Sequence, residues 1–335
     1  MGGFLNLFFF SLFFFGVDFF IWRWYNFAMR VCEFFNIKGD KEARVCLSSF
    51  VLNSFPSLSR NVLFKAIRNK DIKVNGKRVS KDMMLKSGDV LNIYISDLYL
   101  FNLPKQLEYV YKDDNLLGVY KPQGLLSNNE YYDEEDNTNI DEPTLEDLVK
   151  KDFPSAKICH RLDRNTSGIV LFSLNEVAYN ELLFGFKVGA IVKNYIAYVY
   201  DCNFKSEHET LEKYLKKDSK SGYSKVYDSL VKDSQKIITE YFVIYKNEIK
   251  DYAILDVSIH TGKTHQIRAQ LKEISHPIIG DSKYGKNSIN KQFKIYKQLL
   301  FAYKYSFKFK EKSPLFYLNS KTILLQSKYY ENKIT

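Results

Sequence analysis

The amino-acid sequence predicts an α+β protein with a large mixed β-sheet domain and a small N-terminal domain in which helices precede a hairpin. Residues 99–335 alternate short runs of β-branched and aromatic residues with helical segments, as expected for an α+β fold built around one sheet. The predicted strands include 117–120, 169–172, 195–200 and 252–259, and the predicted helices are 145–151 and 176–184. The chain has 335 residues, of which 45% are hydrophobic, and this is enough for two cores. We therefore expect three segments, namely 1–28, 29–98 and 99–335.

Residues 1–28 differ in composition from the rest of the chain. Nine of the first twenty residues are Phe, and the apolar stretch 4–24 is interrupted by polar residues such as Asp18. A transmembrane anchor requires roughly 20 apolar residues, and Asp18 would be costly in lipid. A signal peptide would have a basic start and a small-residue cleavage site, and neither is visible between Met1 and Met29. We favour an over-extended gene start, because Met29 directly precedes sequence of ordinary globular character.

Residues 44–95 show helical patterns followed by a hairpin. A first helix is predicted around residues 45–51, and Ser59 is a candidate N-cap for a second helix whose apolar residues fall on one face. The Asn-Gly pair at 75–76 is typical of a two-residue hairpin turn, and residues 90–95 are predicted to form a strand.

Charge is unevenly distributed along the chain. Lys and Arg outnumber Asp and Glu by 49 to 39, which gives a formal net charge of +10 and makes a polyanion the first partner to consider. Residues 57–78 carry seven basic side chains and one acidic one, whereas residues 130–147 carry nine acidic side chains and no basic one. The acidic, Asn-rich stretch 128–142 is predicted to be a surface loop.

The basic segment resembles a known RNA-binding module. The run S-R-N-V-L-F-K-A-I-R-N-K-D-I-K-V-N-G-K-R-V at 59–79, followed by S-G-D-V-L at 87–91, is similar to the S-four type of RNA-binding domain. Charges on an amphipathic helix usually form a solvated face, but this resemblance implies that the basic side chains bind RNA. The residues concerned are Arg60, Lys65, Arg68, Lys73, Lys77 and Arg78.

Several common kinds of active site are excluded by the sequence. T-G-K-T at 261–264 lacks the glycine that a phosphate-binding loop requires at position 257. His260 and His265 do not have the H-E-x-x-H spacing, and the four cysteines form no C-x-x-C pair. No G-x-S-x-G motif for serine hydrolysis is present. We therefore expect neither a metal nor a nucleotide cofactor, and a reducing intracellular compartment.

The segment C-H-R-L-D-R-N-T-S-G at 159–168, followed by the apolar run 169–172, is the strongest candidate for a catalytic site. Asp163 has arginines at positions 161 and 164, and their positive charge favours the ionised carboxylate. Such a carboxylate can act as a nucleophile, but the same pattern is typical of a turn capped by Asp and braced by Arg. The residues alone leave both interpretations open.

This segment resembles the signature H-R-L-D-x-x-T-S-G of the RluA-type pseudouridine synthases, in which the aspartate is catalytic. Further segments occur in the order that the family shows: K-P-Q-G at 121–124, K-N-Y-I-A at 193–197, H-T-G-K-T-H-Q-I-R-A-Q-L at 260–271, and H-P-I-I-G-D with Y-G between 276 and 285. Three positions depart from the family's pattern: Lys263 replaces the usual Arg, Ser127-Asn128 replaces V-H, and Phe301 stands where His often precedes Ala302.

The resemblance implies a role for several residues, in a reaction that needs no cofactor. Asp163 would be the catalytic carboxylate, acting by attack on the sugar or by proton abstraction from it, and Arg268 would pair with it and keep it ionised. Tyr195 would stack on the extruded base and assist the final deprotonation at C5. Arg161 would occupy the space that the flipped nucleotide leaves, and Lys193 would bind RNA.

The segment that contains Arg268 is expected to form a helix opened by Thr264. His160 and His265 are expected to be structural, each forming a hydrogen bond within its local turn.

The resemblance also implies a substrate and a location. Members with this RNA-binding domain commonly act on large-subunit ribosomal RNA, so we expect that RNA as partner, with transfer RNA as the alternative. A non-catalytic RNA-binding ribosome-assembly factor of the same fold is a second alternative, against which the presence of Asp163, Tyr195 and Arg268 argues. We expect a cytoplasmic monomer that is not bound to a membrane.

A chain that begins at Met29 is expected to retain full turnover, because residues 1–28 contain no segment that resembles the family. The two lengths of chain would be compared in turnover of ribosomal RNA. A large loss in the shorter chain would contradict the over-extended gene start.

Overall fold

The computed structural model divides the chain into two units, Met1–Lys105 and Gln106–Thr335. It describes residues 44–55, 58–95, 106–128, 143–218, 222–295 and 297–334, together with the backbone of four short strands between residues 19 and 36. Most of the predicted acidic surface loop, residues 129–142, lies outside the described residues.

The first unit combines two helices with short antiparallel strands in its described part. The strands form a five-stranded sheet in the order β2-β3-β9-β6-β7 and two two-stranded sheets, β1-β4 and β5-β8. The elements are β1 (Phe19–Phe20), β2 (Trp24–Asn26), β3 (Met29–Glu33), β4 (Phe35–Asn36), β5 (Arg44–Cys46), α1 (Leu47–Ser54), α2 (Arg60–Arg68), β6 (Ile72–Val74), β7 (Lys77–Arg78), β8 (Met84–Lys86) and β9 (Val90–Ile93).

The boundary expected at Met29 falls inside a hairpin. Trp24 pairs with Val31 and Asn26 pairs with Met29, and the second strand of this hairpin continues the sheet to β9. A chain that begins at Met29 would therefore also lack β2. The membrane-anchor interpretation concerns residues that lie largely outside the described part, and within that part no helix has the length and apolar character that crossing a bilayer requires.

The predicted helix and hairpin of this unit are confirmed. The Ser59 hydroxyl caps α2 by accepting a hydrogen bond from Val62 N at 3.3 Å. Asn75 and Gly76 have φ angles of 49° and 79°, the left-handed conformations that a type I′ turn between β6 and β7 requires. The core beneath these elements is apolar and includes Leu47, Phe50, Val51, Leu63, Ala66, Ile67, Ile72, Leu85, Leu91 and Ile93.

Two element boundaries in this unit were predicted wrongly. Val45 lies in β5 and not in the first helix, because it pairs with Leu85 of β8. The pairing continues one step further, since Leu47 N donates to Met83 O at 2.8 Å, and α1 begins at that residue. The predicted strand 90–95 ends at Ile93.

The six basic residues predicted to bind RNA lie on α2 and on the β6–β7 hairpin. Arg60, Arg68, Lys77 and Arg78 are exposed, and Lys65 and Lys73 are half-buried. The Lys73 ammonium and the Arg78 guanidinium lie 5.3 and 5.7 Å from the ring centroid of Tyr94. Cations beside an aromatic ring are typical of RNA-binding surfaces, and the RNA-binding role of this surface stays a prediction.

The second unit is organised around one 11-stranded mixed sheet. Its main order is β10-β11-β13-β19-β14-β18-β17-β15-β16, with β12 paired to β13 and β20 paired to β19. The strands are β10 (Tyr109–Lys112), β11 (Leu116–Lys121), β12 (Lys157–Ile158), β13 (Ser167–Ser173), β14 (Ile191–Tyr200), β15 (His208–Lys217), β16 (Ser224–Tyr227), β17 (Gln235–Asn247), β18 (Tyr252–Ile259), β19 (Leu300–Phe307) and β20 (Thr322–Leu324).

The α+β fold class predicted from the sequence is confirmed. The predicted strands 117–120, 169–172, 195–200 and 252–259 lie in β11, β13, β14 and β18. The helices of this unit are α3 (Leu145–Asp152), α4 (Glu176–Val188), α5 (Gln266–Glu273) and α6 (Asn287–Phe293), with 3₁₀ turns at Phe316–Ser320 and Ser327–Tyr329. α3 and α4 contain the two helices that the sequence predicted.

The candidate catalytic loop enters the sheet where two strands run parallel. β13 is antiparallel to β11 and β12 but parallel to β19, and Gly168 pairs with Ala302. Gly168 has a φ of 131°, and a Cβ at this position would lie 2.3 Å from the Ala302 carbonyl oxygen. Glycine is therefore required for the approach of the two strands directly after the loop.

Replacing Arg60, Lys65 and Lys77 together with Ala is expected to weaken RNA affinity, because the resemblance implies that these cations contact phosphates. The slope of log K against log salt should flatten by about 0.9 per lost phosphate contact on duplex-like RNA and about 0.7 on single strands. The measurement is RNA binding over a salt series. The matched control removes three exposed lysines of the second unit, Lys250, Lys310 and Lys312. An unchanged slope in the first variant would contradict the predicted surface.

Candidate active site

Asp163 lines a cavity of about 370 Å³ in the second unit. Its loop connects β12 to β13 and closes on itself, since Thr166 N donates to the Asp163 carbonyl at 3.0 Å. The Asp163 side chain is 19% exposed. The remaining cavity wall comes from α4, β14, the ends of β18 and β19, the segment 262–265 and the start of α5. It includes Phe186, Lys187, Lys193, Tyr195, Lys263, His265 and Arg268.

Arg268 lies between two carboxylates. Its NH1 donates to Asp163 Oδ2 at 2.9 Å, while its Nε and NH2 donate to the two oxygens of Asp281 at 2.7 and 3.0 Å. The planar guanidinium makes this arrangement possible because its donors point in fixed, different directions. Asp281 has no exposed side-chain surface, and its Oδ1 also accepts from the backbone N–H groups of Lys283 and Tyr284.

The charges around Asp163 keep its carboxyl ionised. Burial alone would raise its pKa, but the charge of His265 when its ring is protonated, the charges of Arg268 and Arg161, and the Arg268 hydrogen bond lower it below the ordinary 3.8. Because the pKa is lower in the folded state, this contribution to stability is present at neutral pH. It is lost as the pH falls through the folded-state pKa. The pKa of Arg268 is raised, since hydrogen bonds and charge from Asp281 and Asp163 outweigh the burial that opposes them.

A buried lysine and a serine hold the backbone of the Asp163 loop. The Lys121 side chain is fully buried, and its ammonium donates to the Arg164 carbonyl at 3.0 Å and to two carbonyls of its own turn. Gly124 N donates to the same Arg164 carbonyl at 2.8 Å. The Ser127 hydroxyl donates to Leu162 O and accepts from Leu162 N, at 3.0 and 3.1 Å. The departure from the family's pattern at Ser127 thus contributes two hydrogen bonds to the loop.

Tyr195 and Lys193 reach the cavity from β14. Tyr195 is 6% exposed, and burial, reinforced by the negative charge of Asp163, raises its pKa, so its phenol stays protonated at neutral pH. The Lys193 ammonium lies 5.1 Å from the ring centroid of Phe186, and burial lowers its pKa to about 8. Arg161 is exposed at the same cavity.

The structure brings together five of the predicted site residues, namely Asp163, Tyr195, Arg268, Arg161 and Lys193. The six predicted RNA-binding residues of the first unit lie in the other unit. The pairing of Arg268 with Asp163 follows the expectation, but the helix α5 begins at Gln266, with His265 and not Thr264 at its N-cap.

The two histidines expected to bond their local turns each also contact a residue further along the chain. His160 Nε2 accepts from Leu171 N of β13 at 3.0 Å, and burial lowers the pKa of His160 to about 3. His265 Nδ1 lies 3.0 Å from the Tyr284 hydroxyl, and its Nε2 lies 3.8 Å from Asp163 Oδ2. Both rings therefore contact residues that are distant in sequence.

Sequence reasoning assigned no role to Asp281 or Lys121, although both lie in segments that resemble the family. In the sequence, only their charged side chains suggest a role, and a charge alone does not show which residue it bonds. Asp281 bonds a helix residue 13 positions away, and Lys121 bonds a carbonyl 43 positions away. Among the described residues, no group of three or more His, Cys, Asp or Glu side chains is placed to hold a metal.

Comparisons with known proteins point to one family. Residues 115–273 match the family described as RNA pseudouridylate synthase. An RNA pseudouridine synthase of Mycoplasma capricolum is 32% identical over 86% of this chain and 96% of the relative. A Rickettsia felis protein named ribosomal large subunit pseudouridine synthase C is 31% identical over 77% of this chain and 86% of the relative. The human RNA pseudouridylate synthase domain containing 1 shares the fold, with a TM-score of 0.51 and 21% identity over 66% of this chain and 82% of that one.

Asp281→Asn is expected to lower the free energy of unfolding by about 3 kcal/mol, the lower end for breaking a buried ion pair, because Arg268 retains Asp163. Chemical denaturation would measure it. The matched control is Asp233→Asn, which removes an exposed carboxylate 3.7 Å from Lys216 and should change stability by less than about 0.5 kcal/mol. Equal stability of the two variants would show that Asp281 does not hold Arg268.

Proposed function

This chain belongs to the family of RNA pseudouridylate synthases, and we propose that it isomerises specific uridines of large-subunit ribosomal RNA with Asp163 as the catalytic carboxylate. The observation that carries the proposal is the ionised Asp163 carboxylate, held by Arg268 at the wall of a cavity. The name of the Rickettsia felis relative supports the choice of RNA. Ribosomal RNA as substrate implies a cytoplasmic enzyme, and the expected monomer stays a prediction.

The reaction is an isomerisation, so atoms and electrons balance within the substrate. The bond between C1′ and N1 of uridine breaks, the base rotates, and C5 bonds to C1′. The proton at C5 is lost, and N1 gains one. No external energy source or cofactor is needed for this exchange of bonds.

Asp163 presents one oxygen to the substrate. Arg268 donates to Oδ2 and not to Oδ1. Oδ1 is therefore the atom that donates an electron pair, either to the sugar carbon or to a proton of the sugar. Arg268 and the other neighbouring charges keep the carboxylate ionised for either step.

Tyr195 supplies a surface for the extruded base. Extrusion of a nucleotide costs a few kcal/mol, and stacking on one aromatic ring returns about 1–3 kcal/mol. Since the phenol of Tyr195 stays protonated, its hydroxyl acts as a hydrogen-bond donor to the base. The C5 proton passes to solvent water, and the Tyr195 hydroxyl assists this step through its hydrogen bond.

The cations around the cavity bind the RNA backbone near the target. Arg161, Lys187, Lys193 and Lys263 line the same cavity as Asp163. Arg161 fills the space that the flipped nucleotide leaves in the helix. The basic surface of the first unit, with Tyr94 between Lys73 and Arg78, acts as an additional RNA-binding domain.

Mapping pseudouridines in total RNA with and without the gene tests the substrate. Loss of one or more sites in large-subunit ribosomal RNA would support the proposal. Loss of sites in transfer RNA alone would show that transfer RNA is the substrate, and an unchanged map would contradict the proposed function.

Asp163→Asn is expected to abolish pseudouridine formation while RNA affinity and thermal stability stay nearly intact, because Asn keeps the shape but cannot act as an anionic base or nucleophile. Arg268→Ala should lose activity and also about 3–5 kcal/mol of stability, because it leaves buried carboxylates without their cation. Thermal melting, RNA binding and pseudouridine counting would be carried out on both variants.

The matched control is Lys272→Ala, which removes an exposed cation from the same helix, outside the cavity. It should keep activity and stability. Turnover by folded Asp163→Asn, beyond the amount that deamidation back to Asp explains, would show that Asp163 is not the catalytic carboxylate.

A further inference from the structure

His265 is fixed between the catalytic carboxylate and a buried phenol. Its Nε2 lies 3.8 Å from Asp163 Oδ2, and its Nδ1 lies 3.0 Å from the Tyr284 hydroxyl. The His265 side chain is 9% exposed and lines the cavity. At 3.8 Å the contact with Asp163 is a charge contact and not a hydrogen bond.

The Tyr284 hydroxyl determines which nitrogen of the neutral ring carries the proton. The phenol oxygen accepts a hydrogen bond from Ser224 N at 2.7 Å and has its own proton left to donate. Donation to His265 Nδ1 leaves the ring proton on Nε2, which faces the Asp163 carboxylate. The opposite tautomer would place the lone pair of Nε2 against the Asp163 carboxylate, which is unfavourable. A second proton on the ring converts this polar contact into a full positive charge beside Asp163.

The backbone of His265 is held in an unfavourable conformation that directs the ring to Asp163. Its φ is 60°, in the left-handed region, and its side chain does not cap the helix α5 that it precedes. Residues with a Cβ adopt this region rarely, and they keep it where the surroundings determine the conformation. Here the ring is held by Tyr284, whose own ring packs 5.0 Å from the Arg268 guanidinium.

Arg268 and His265 approach the same oxygen of Asp163. Both contacts are to Oδ2, and neither is to Oδ1. A second positive charge next to Oδ2 stabilises the carboxylate charge and weakens Oδ1 as an electron-pair donor. The weakening applies equally to attack on carbon and to proton abstraction.

We infer that His265 is a positioning residue whose charge controls the reactivity of Asp163, so that the enzyme is active with a neutral imidazole and is slowed when the imidazole is protonated. This inference rests on the proposed role of Asp163. His265 acts through Asp163 and the Tyr284 hydroxyl, and it exchanges no proton with the substrate.

Some of the groups that face His265 favour protonation of its ring, and others oppose it. Asp163, from the loop before β13, favours the protonated ring, and positive charges oppose it. The positive charges come from the same loop, from the segment before α5, from α5 itself and from β14 across the cavity; they are Arg161, Lys263, Arg268 and Lys193. The phenols of Tyr284 and Tyr195 are the other titratable groups around the ring.

The test is a pH profile of single-turnover pseudouridine formation on ribosomal RNA with enzyme in excess, between about pH 5 and pH 8, where histidine titrates. RNA binding is measured at each pH to separate affinity from rate. Asp163 stays ionised over this range, because its pKa is lowered below 3.8. The wild-type rate should fall on the acid side, by at most about tenfold per pH unit for one ionising group, and level off at the lower rate of the protonated form.

His265→Gln should lose this acid limb, so that its rate no longer falls between about pH 8 and pH 5. The matched control is His260→Gln, because His260 is 47% exposed and does not line the cavity. That variant should keep the wild-type profile. Tyr284→Phe removes the hydroxyl that orients the ring, and it should displace the acid limb while thermal melting verifies folding.

The outcomes separate this inference from the proposed function. A wild-type enzyme without an acid limb, or an unchanged limb in folded His265→Gln, would overturn the inference while the activity itself stands. If the Asp163→Asn variant is inactive in the same experiments, the proposed function is still supported. Absence of pseudouridine formation by the wild-type enzyme at every pH would contradict both.

Discussion

The site depends on one guanidinium shared by two carboxylates. Arg268 uses Nε and NH2 for Asp281 and NH1 for Asp163, and its side chain is 6% exposed. A buried cation of this kind is tolerated when its charge is compensated and its donors are satisfied. Lysine could not replace it, since an ammonium is a point charge without the fixed fork of donors. The orientation of Asp163, the burial of Asp281 and the packing of Tyr284 all follow from where this group lies.

The fold positions Asp163 beside Arg268 by fixing the backbone on both sides of Asp163. Before Asp163, the Ser127 hydroxyl binds both polar groups of the Leu162 backbone. After it, the Lys121 ammonium binds the Arg164 carbonyl, and Gln298 Nε2 donates to the Thr166 hydroxyl at 2.8 Å. The loop is thus held by bonds to residues outside it, and its conformation does not depend on the substrate.

Pattern in the sequence predicts the local structure of this chain and much less of its long-range contacts. Strands such as 252–259 are recognised because β-branched and aromatic residues alternate, and Ser59 is recognised because caps have few residue types. Val45 was misplaced because its partner, Leu85, is 40 positions away. Asp163 and Arg268 were matched by resemblance across 105 positions, whereas the bond of His265 to Tyr284 has no pattern that a single sequence reveals.

The order of strands in the large sheet has a consequence for protein synthesis. β19 lies between β13 and β14, although it follows both in the chain and is therefore synthesised after them. Until Leu300–Phe307 leave the ribosome, the two halves of the sheet have no common neighbour, and Gly168 and Thr166 lack their partners Ala302 and Gln298. The nascent chain therefore makes these two contacts beside Asp163 only after the loop's other partners, Lys121, Ser127 and Arg268, have been synthesised.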